Sequence, residues 1–296
     1  MKNIDKIEEK WYHIAIIYNI VRTYMNYKQN LHTHTVRCDG IDLPEDMIRV
    51  AIEKGFDSIG FSGHSANEYS SYHHITPETT AAYQKEIYAL KKKYEGQIEI
   101  FCGLEYEMLS DDLKDGWEYM IGSTHYLEKD GEVFNMDVGA EQIKAVVSER
   151  FGGDGLAFAK CYFEHLSRLP EYGKFDFIGH FDLLTKNIDT VSLFDTESPE
   201  YLSYAIGAMD ALKGKIDLFE VNTGAIARGY RKTPYPMKNI LVELNKRGFG
   251  AIIASDCHDA RYLDLHFDEC AELLAECGFK EKYIFTKNGF HAVSLR

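Results

Sequence analysis

Residues 30–35 read NLHTHT: a first strand is expected to end at Leu31, and His32 and His34 follow with a single threonine between them. Side chains two apart on an extended chain point to the same face, so both imidazoles can reach one ion from neighbouring positions. Working outward, the same design recurs. A short β-rich run gives way to a polar residue at His64 in FSGHS, Glu105 in GLEYE, His125 in GSTHY, His180 in GHFDLL, Asn222 in EVNTG, and Asp256 with His258 in SDCHD. After the first, just before His32, the runs lie near 57–62, 98–103, 118–123, 175–179, 216–221 and 250–255. Segments of helical period separate most of them: from Asp42 or Pro44 to Gly55, from Thr76 to Gly96 with Pro77 in the first turn, and at 141–168, 198–213, 237–247 and 264–277. Such alternation predicts parallel strands joined by right-handed crossovers. Chemistry at every strand end, instead of at one switch point, favours a closed or nearly closed α/β barrel over a doubly wound sheet. In a barrel the C-terminal strand ends share one mouth, where ligands distant in sequence converge.

The chain has 296 residues, 45% of them hydrophobic, a length that one barrel can fill. No repeat, low-complexity tract or linker divides it. The net charge of −14 argues against a nucleic-acid surface, which relies on Lys and Arg displacing counterions from phosphates. Six cysteines without a CxxC pair or a disulfide-like spacing fit a reduced, cytoplasmic location. WYHIAIIYNIVRTYM, residues 11–25, is too short to span a bilayer and carries His13 and Arg22, so no membrane association is expected. Ile14, Ile17 and Val21 follow a helical period. Residues 1–24 therefore read as a helical extension ahead of a start at Met25, and residues 25–296 as a single barrel domain.

Taken singly, the candidate ligands are modest signals. HxH is common by chance, a lone strand-end histidine such as His64 is usually a hydrogen-bonded core residue, and Asp39 in VRCDG suits a turn as well as a metal. Glu105 at the end of a buried strand needs a compensating charge, from cations or from Lys or Arg. Nearby Glu107 reads as solvated. The shared strand-end placement makes a multi-metal hydrolase the best account of the set.

In the order HxH, GHS, GLE, G-S-x-H, GH-x-D and SDxH, the chain resembles the polymerase and histidinol phosphatase family of metal-dependent phosphoesterases, over nearly its whole length from about Met25. It is most similar to the family's stand-alone histidinol-phosphate phosphatases. The resemblance implies a distorted (βα)7 barrel holding three divalent ions. His32, His34 and Asp256 would bind the first, Glu105 would bridge it to the second, His125 and His180 would complete the second, and Asp39, His64 and His258 would hold the third. Many relatives carry histidine where Asp39 stands. Imidazole mixed with carboxylate fits manganese, iron or zinc, with Asp182 a candidate second acceptor behind the histidines.

The implied reaction is hydrolysis of L-histidinol phosphate to L-histidinol and phosphate, a step of histidine biosynthesis. Two ions about 3.5–4 Å apart would ready a bridging hydroxide for attack at phosphorus. Glu105, Asp256 and His258 would serve catalysis, with His258 or a metal-bound water as proton donor to the leaving alkoxide. Arg228 ahead of Arg231, both in NTGAIARGYRKTPYP, and Lys186 in HFDLLTKN would meet the phosphate oxygens. The substrate pocket calls for a carboxylate and aromatic rings, and Glu107, Tyr69, Tyr72, His73 and His74 lie in loops near the mouth. Other readings are a nucleotide or other small phosphate ester at the same site, an amidohydrolase, and a vestigial binding module. Glu105 on the third strand and the Asp256–His258 pair count against the amidohydrolase, and the filled ligand set against the vestigial module. Oligomeric state is not readable from the sequence.

Overall fold

The computed structural model describes residues 27–70, 74–110 and 115–295. The helical extension expected at 1–24 lies outside them, as do Tyr72 and His73. The strands are β1 (Gln29–Asn30), β2 (Ser58–Phe61), β3 (Glu99–Glu107), β4 (Tyr119–Ser123), β5 (Tyr126–Lys129), β6 (Glu132–Asn135), β7 (Phe177–Ile178), β8 (Leu218–Asn222), β9 (Gly250–Ala254), β10 (Glu281–Thr286) and β11 (Gly289–Ser294). Seven of them form one sheet in the order β1-β2-β3-β4-β7-β8-β9, and every pairing is parallel. The two edges meet through a parallel bridge between Thr33 and Cys257, with the His34 amide donating to the Cys257 carbonyl at 2.8 Å. The ring is thus the nearly closed seven-stranded barrel expected.

Around it lie α1 (Pro44–Glu53), α2 (Pro77–Lys93), α3 (Ala140–Phe151), α4 (Gly155–Leu166), α5 (Leu169–Tyr172), α6 (Pro199–Leu212), α7 (Gly224–Ala227), α8 (Lys238–Lys246) and α9 (Phe267–Glu276). Helix α1 shows why these segments coil where they do: proline occupies its first turn and Met47, Ile48 and Ala51 bury one face. Its N-cap is Leu43; Asp42 instead accepts the Ala260 amide at 2.7 Å. The stretch read as one helix over 141–168 breaks in two, because Gly152 and Gly153 take positive φ values of 62° and 83° and Asp154 caps the second helix.

Strand alternation creates two cores. On β3, Ile100, Cys102 and Leu104 pack outward with the helices, while Phe101 joins Leu31, Tyr119, Ile121, Phe177 and Ile252 inside the barrel. Tyr119 crosses the interior and donates its hydroxyl to the Leu31 carbonyl at 2.5 Å. Gly103 makes room for it, since a Cβ there would lie 2.2 Å from the ring. Two hairpins were not anticipated. The β10–β11 pair plugs the N-terminal end, setting Phe285 and Phe290 against the interior aromatics. The β5–β6 pair follows His125 and borders the mouth. Among the described residues no helix is long and apolar enough to cross a membrane.

Candidate metal centre

Counting by twos along β3 from Phe101 reaches Glu105 and Glu107, so the apolar interior row ends in two carboxylates at the mouth. Glu105 is buried, and its two oxygens face five histidines. Oε2 lies 3.1 Å from Nε2 of His32, 3.4 Å from Nε2 of His34 and 2.8 Å from Nδ1 of His64. Oε1 lies 3.0 Å from Nε2 of His180 and 3.4 Å from Nε2 of His125. Asp256 Oδ1 stands 3.2 Å from His34 Nε2 and 3.6 Å from His32 Nε2. Asp39 Oδ2 stands 3.2 Å from His258 Nε2 and 3.4 Å from His64 Nε2. All nine expected ligands therefore come together. The grouping is less partitioned than expected, for His34 also stacks on His258 at 4.2 Å and its donor atom lies within 4.8 Å of those of Asp39, His64 and His258.

These contacts suit metal coordination better than hydrogen bonding. His32 Nε2, His34 Nε2, Asp39 Oδ1 and Glu105 Oε2 are buried without an aligned hydrogen bond, although both Nε2 atoms lie within ion-pair distance of Glu105 Oε2 and Asp39 Oδ1 lies 3.6 Å from His34 Nδ1. Ligands about 2.1 Å from a tetrahedral ion sit about 3.4 Å apart, the spacing seen here. Buried polar atoms without hydrogen bonds are costly, and a shared cation would satisfy them together. The residues fit divalent ions.

Electrostatics agree. Burial alone would raise Glu105, yet His32, His64 and His125 hold it well below the usual carboxylate range. Asp256 is likewise held down against burial, by Arg228 and then His32. His34 is lowered to about 3 by burial and by its neighbours His258 and His64, so it stands neutral, as a ligand must. His32 and His64 move upward: burial opposes it, but Glu220 and Glu105 prevail on His32, and Glu105 and Asp39 on His64.

The acceptors behind the ligands were missed or misassigned from sequence. Glu220, fully buried on β8, accepts from His32 Nδ1 at 2.9 Å, from the His180 amide at 2.8 Å and from Asn222 Nδ2 at 2.7 Å. Its signal was present: a charged residue inside the run IDLFEVN, two positions before the strand-end Asn222, lies in the inward row. Glu107 is not solvated; it is buried and takes both the amide and Nδ1 of His125, at 2.6 and 2.9 Å. Asp182 touches none of the ligand rings. It accepts the Met237 amide at 2.9 Å and pairs loosely with Arg231 at 4.0 Å.

Of the expected substrate contacts, Arg228 and Lys186 line an open cavity of about 420 Å³ that also exposes Asp39, His64, Asp256 and His258. Arg228 donates to Asp256 Oδ2 at 2.9 Å. Lys186 donates to Asp137 at 2.7 Å. Arg231 does not reach the cavity. It is buried over the Tyr235 ring and donates to Thr185 Oγ1 at 2.6 Å and the Pro234 carbonyl at 3.0 Å, so it braces the loop and does not meet substrate. Tyr69 is 44% exposed and lies beside the cavity residue Tyr126, while His74 lines the cavity itself.

A family model described as the PHP domain matches residues 30–224, from the strand before the first HxH to the turn after Asn222. The chain belongs to the PHP domain family. Within it, the chain is 26% identical over 260 residues to a Schizosaccharomyces pombe protein named "Probable histidinol-phosphatase", covering 79% of this chain and 81% of the relative. It is 24% identical over 257 residues to the histidinol-phosphatase of Bacillus subtilis, covering 79% of this chain and 94% of that one. The PHP fold is shared with the crystal structure of histidinol phosphate phosphatase from Lactococcus lactis, complexed with zinc, L-histidinol and phosphate. That structure matches at a TM-score of 0.68 and 18% identity, over 89% of this chain and 98% of the other.

Proposed function

We propose that this chain is a divalent-metal-dependent phosphomonoesterase that converts L-histidinol phosphate and water to L-histidinol and phosphate. The observation that carries it is Glu105 facing five imidazoles, with Arg228 anchored on Asp256 beside them. The names of the curated relatives support the choice of substrate. In this reading divalent ions, of manganese, iron or zinc and three in number, would be held by His32, His34 and Asp256, by Glu105 with His125 and His180, and by Asp39, His64 and His258. When bound, they supply Lewis acidity toward the phosphoryl oxygens and activate water.

The chain's own residues do the rest. His258 Nδ1 lies 2.9 Å from both the Asp256 carbonyl and Arg228 Nη1, and can serve only one of them. With Nε2 left bare for a cation, Nδ1 carries the proton and donates to the carbonyl. Arg228 then keeps Nη2 on Asp256 Oδ2 at 2.9 Å and Nη1 on the Asp256 carbonyl at 3.4 Å, with its remaining N–H groups left for phosphate oxygens. Lys186 adds a second positive charge at the cavity wall. Glu220 and Glu107 hold the His32 and His125 rings with Nε2 toward Glu105. Residues 25–296 act as one catalytic domain, with 1–24 as an extension. All six cysteines are free, which suits a cytoplasmic enzyme.

The test is turnover by protein reconstituted with each of the three metals on L-histidinol phosphate, nucleoside monophosphates, a 3′,5′-bisphosphate and p-nitrophenyl phosphate. Glu105→Ala serves as the background control. A clear preference for L-histidinol phosphate is expected, and equal rates on all of them would overturn the assignment.

A further inference from the structure

Resting on that reading, we infer that Asp137 and Lys186 form a split-charge receptor in the cavity wall, Lys186 meeting the substrate's phosphate and Asp137 its ammonium group. L-histidinol phosphate carries both charges, on adjacent carbons, so its dipole would lie antiparallel to that of the protein pair.

The pair is a built feature. Asp137 follows strand β6, where its amide donates to Asn135 Oδ1 at 2.7 Å in a tight turn. Lys186 follows the 3-10 turn after His180, and its ammonium lies 4.4 Å from the centre of the Tyr230 ring. Asn187 latches the two segments by donating to the Val138 carbonyl at 2.9 Å. Within the pair, Lys186 Nζ meets Asp137 Oδ1 at 2.7 Å, while Oδ2 is bound by none of the described residues. The Lys186 side chain is only 9% exposed and that of Asp137 32%, so the carboxylate is the more open partner. Burial would raise Asp137, yet Lys186 and His125, with Arg228 beyond them, keep it ionised, which also places it near the metal ligands and the phosphate arginine.

Glu107 is the other carboxylate on this side of the cavity, and both its oxygens are engaged. Oε2 takes the His125 amide and ring, and Oε1 the Leu109 amide at 3.3 Å. Asp137 therefore retains the free oxygen that an ammonium needs. A cation near Lys186 would be repelled without it, and a neutral side chain could not offset that repulsion.

The experiment compares L-histidinol phosphate with its amine-free analogue, 3-(imidazol-4-yl)propyl phosphate, on metal-loaded wild-type protein and on Asp137→Asn. A charge-assisted hydrogen bond is worth about 1.5–3 kcal/mol. The ratio of kcat/KM between the two esters should accordingly fall roughly ten- to hundredfold in Asp137→Asn, and Asp137→Glu should recover part of it. Calorimetric titration should show L-histidinol binding weakened more than inorganic phosphate binding in Asp137→Asn, with the order reversed in Lys186→Met. If Asp137→Asn slows both esters by the same factor, or neither, Asp137 does no more than brace Lys186 and the inference is overturned. If wild-type protein already treats L-histidinol phosphate and p-nitrophenyl phosphate alike, the proposed function fails, a result read before any variant is made, and this inference goes with it.

Discussion

Glu220 holds His32 from behind: its Oε2 lies 2.9 Å from His32 Nδ1, on the side of the ring opposite Glu105. The same carboxylate takes the His180 amide, so one buried group orients ligands of two expected ions. Removing an outer acceptor of this kind typically costs 10–100-fold in metal affinity. Glu220→Ala should show that loss in metal content after dialysis against a weak chelator. Glu220→Gln, which keeps an acceptor oxygen, should lose less. Equal metal retention in all three proteins would remove Glu220 from the site.

Two arginines three residues apart should behave in opposite ways. In metal-loaded protein, where cations would offset the charge of Asp256, Arg228→Ala should lower the melting temperature less than Arg231→Ala does, while lowering kcat/KM roughly 10–100-fold through lost charge-assisted hydrogen bonds. Arg231→Ala strands the buried Asp182 and should cost about 3–5 kcal/mol of stability, partly recovered in the double variant with Asp182→Asn. Thermal unfolding and steady-state kinetics on the same preparations separate the two.

Metal binding should release protons. In the metal-free chain His32, His64 and His125 are raised and His34 is lowered to about 3. Ions must therefore displace protons from the first three, and affinity should fall as pH drops through the raised values of those rings. Calorimetry in buffers of different ionisation enthalpy measures the number released, and a value of zero contradicts the assignment.

The same shifts give metal-free stability an optimum. Raised histidines contribute below their unfolded value of about 6.5, and that share is lost as pH rises through their folded values. His34 and His165, both lowered by burial first, oppose them as two rings against three. Glu105 and Asp256, held low, contribute above their unfolded values near 4, and lose that share on acidification. Melting temperatures of metal-free protein should peak between about pH 4.5 and 6.5. A maximum above pH 8 would be inconsistent with these signs.

Gly103→Ala would drive a methyl group into the Tyr119 ring, 2.2 Å away. Overpacking of this kind costs about 1–3 kcal/mol or more, read as a lower denaturant midpoint. Adding Tyr119→Leu should restore part of it, provided that steric crowding is the cause.

The barrel was legible because most of its strands are short, nearly continuous apolar runs, buried on both faces, each ending where a polar residue appears. The hairpins were not, since β5–β6 and β10–β11 alternate weakly and contribute no strand-end ligand. The break at Gly152 and Gly153 was written in the sequence as a helix stop followed by the capping Asp154, but the apolar period continues across it and hides the division.

What the sequence determined by itself was the expected ligand set: parallel strands carry their ends to one mouth, so order and residue type alone bring His32, Glu105, His180 and Asp256 together. What only the tertiary structure decided was the environment of that set. Glu220 lies 188 residues from His32, and Asp137 49 from Lys186. Local pattern places a side chain on a face, but which distant partner neutralises it depends on how the whole ring closes. That closure buries Arg231, exposes Arg228 to the cavity, and turns Glu107 from an expected surface charge into the acceptor behind His125.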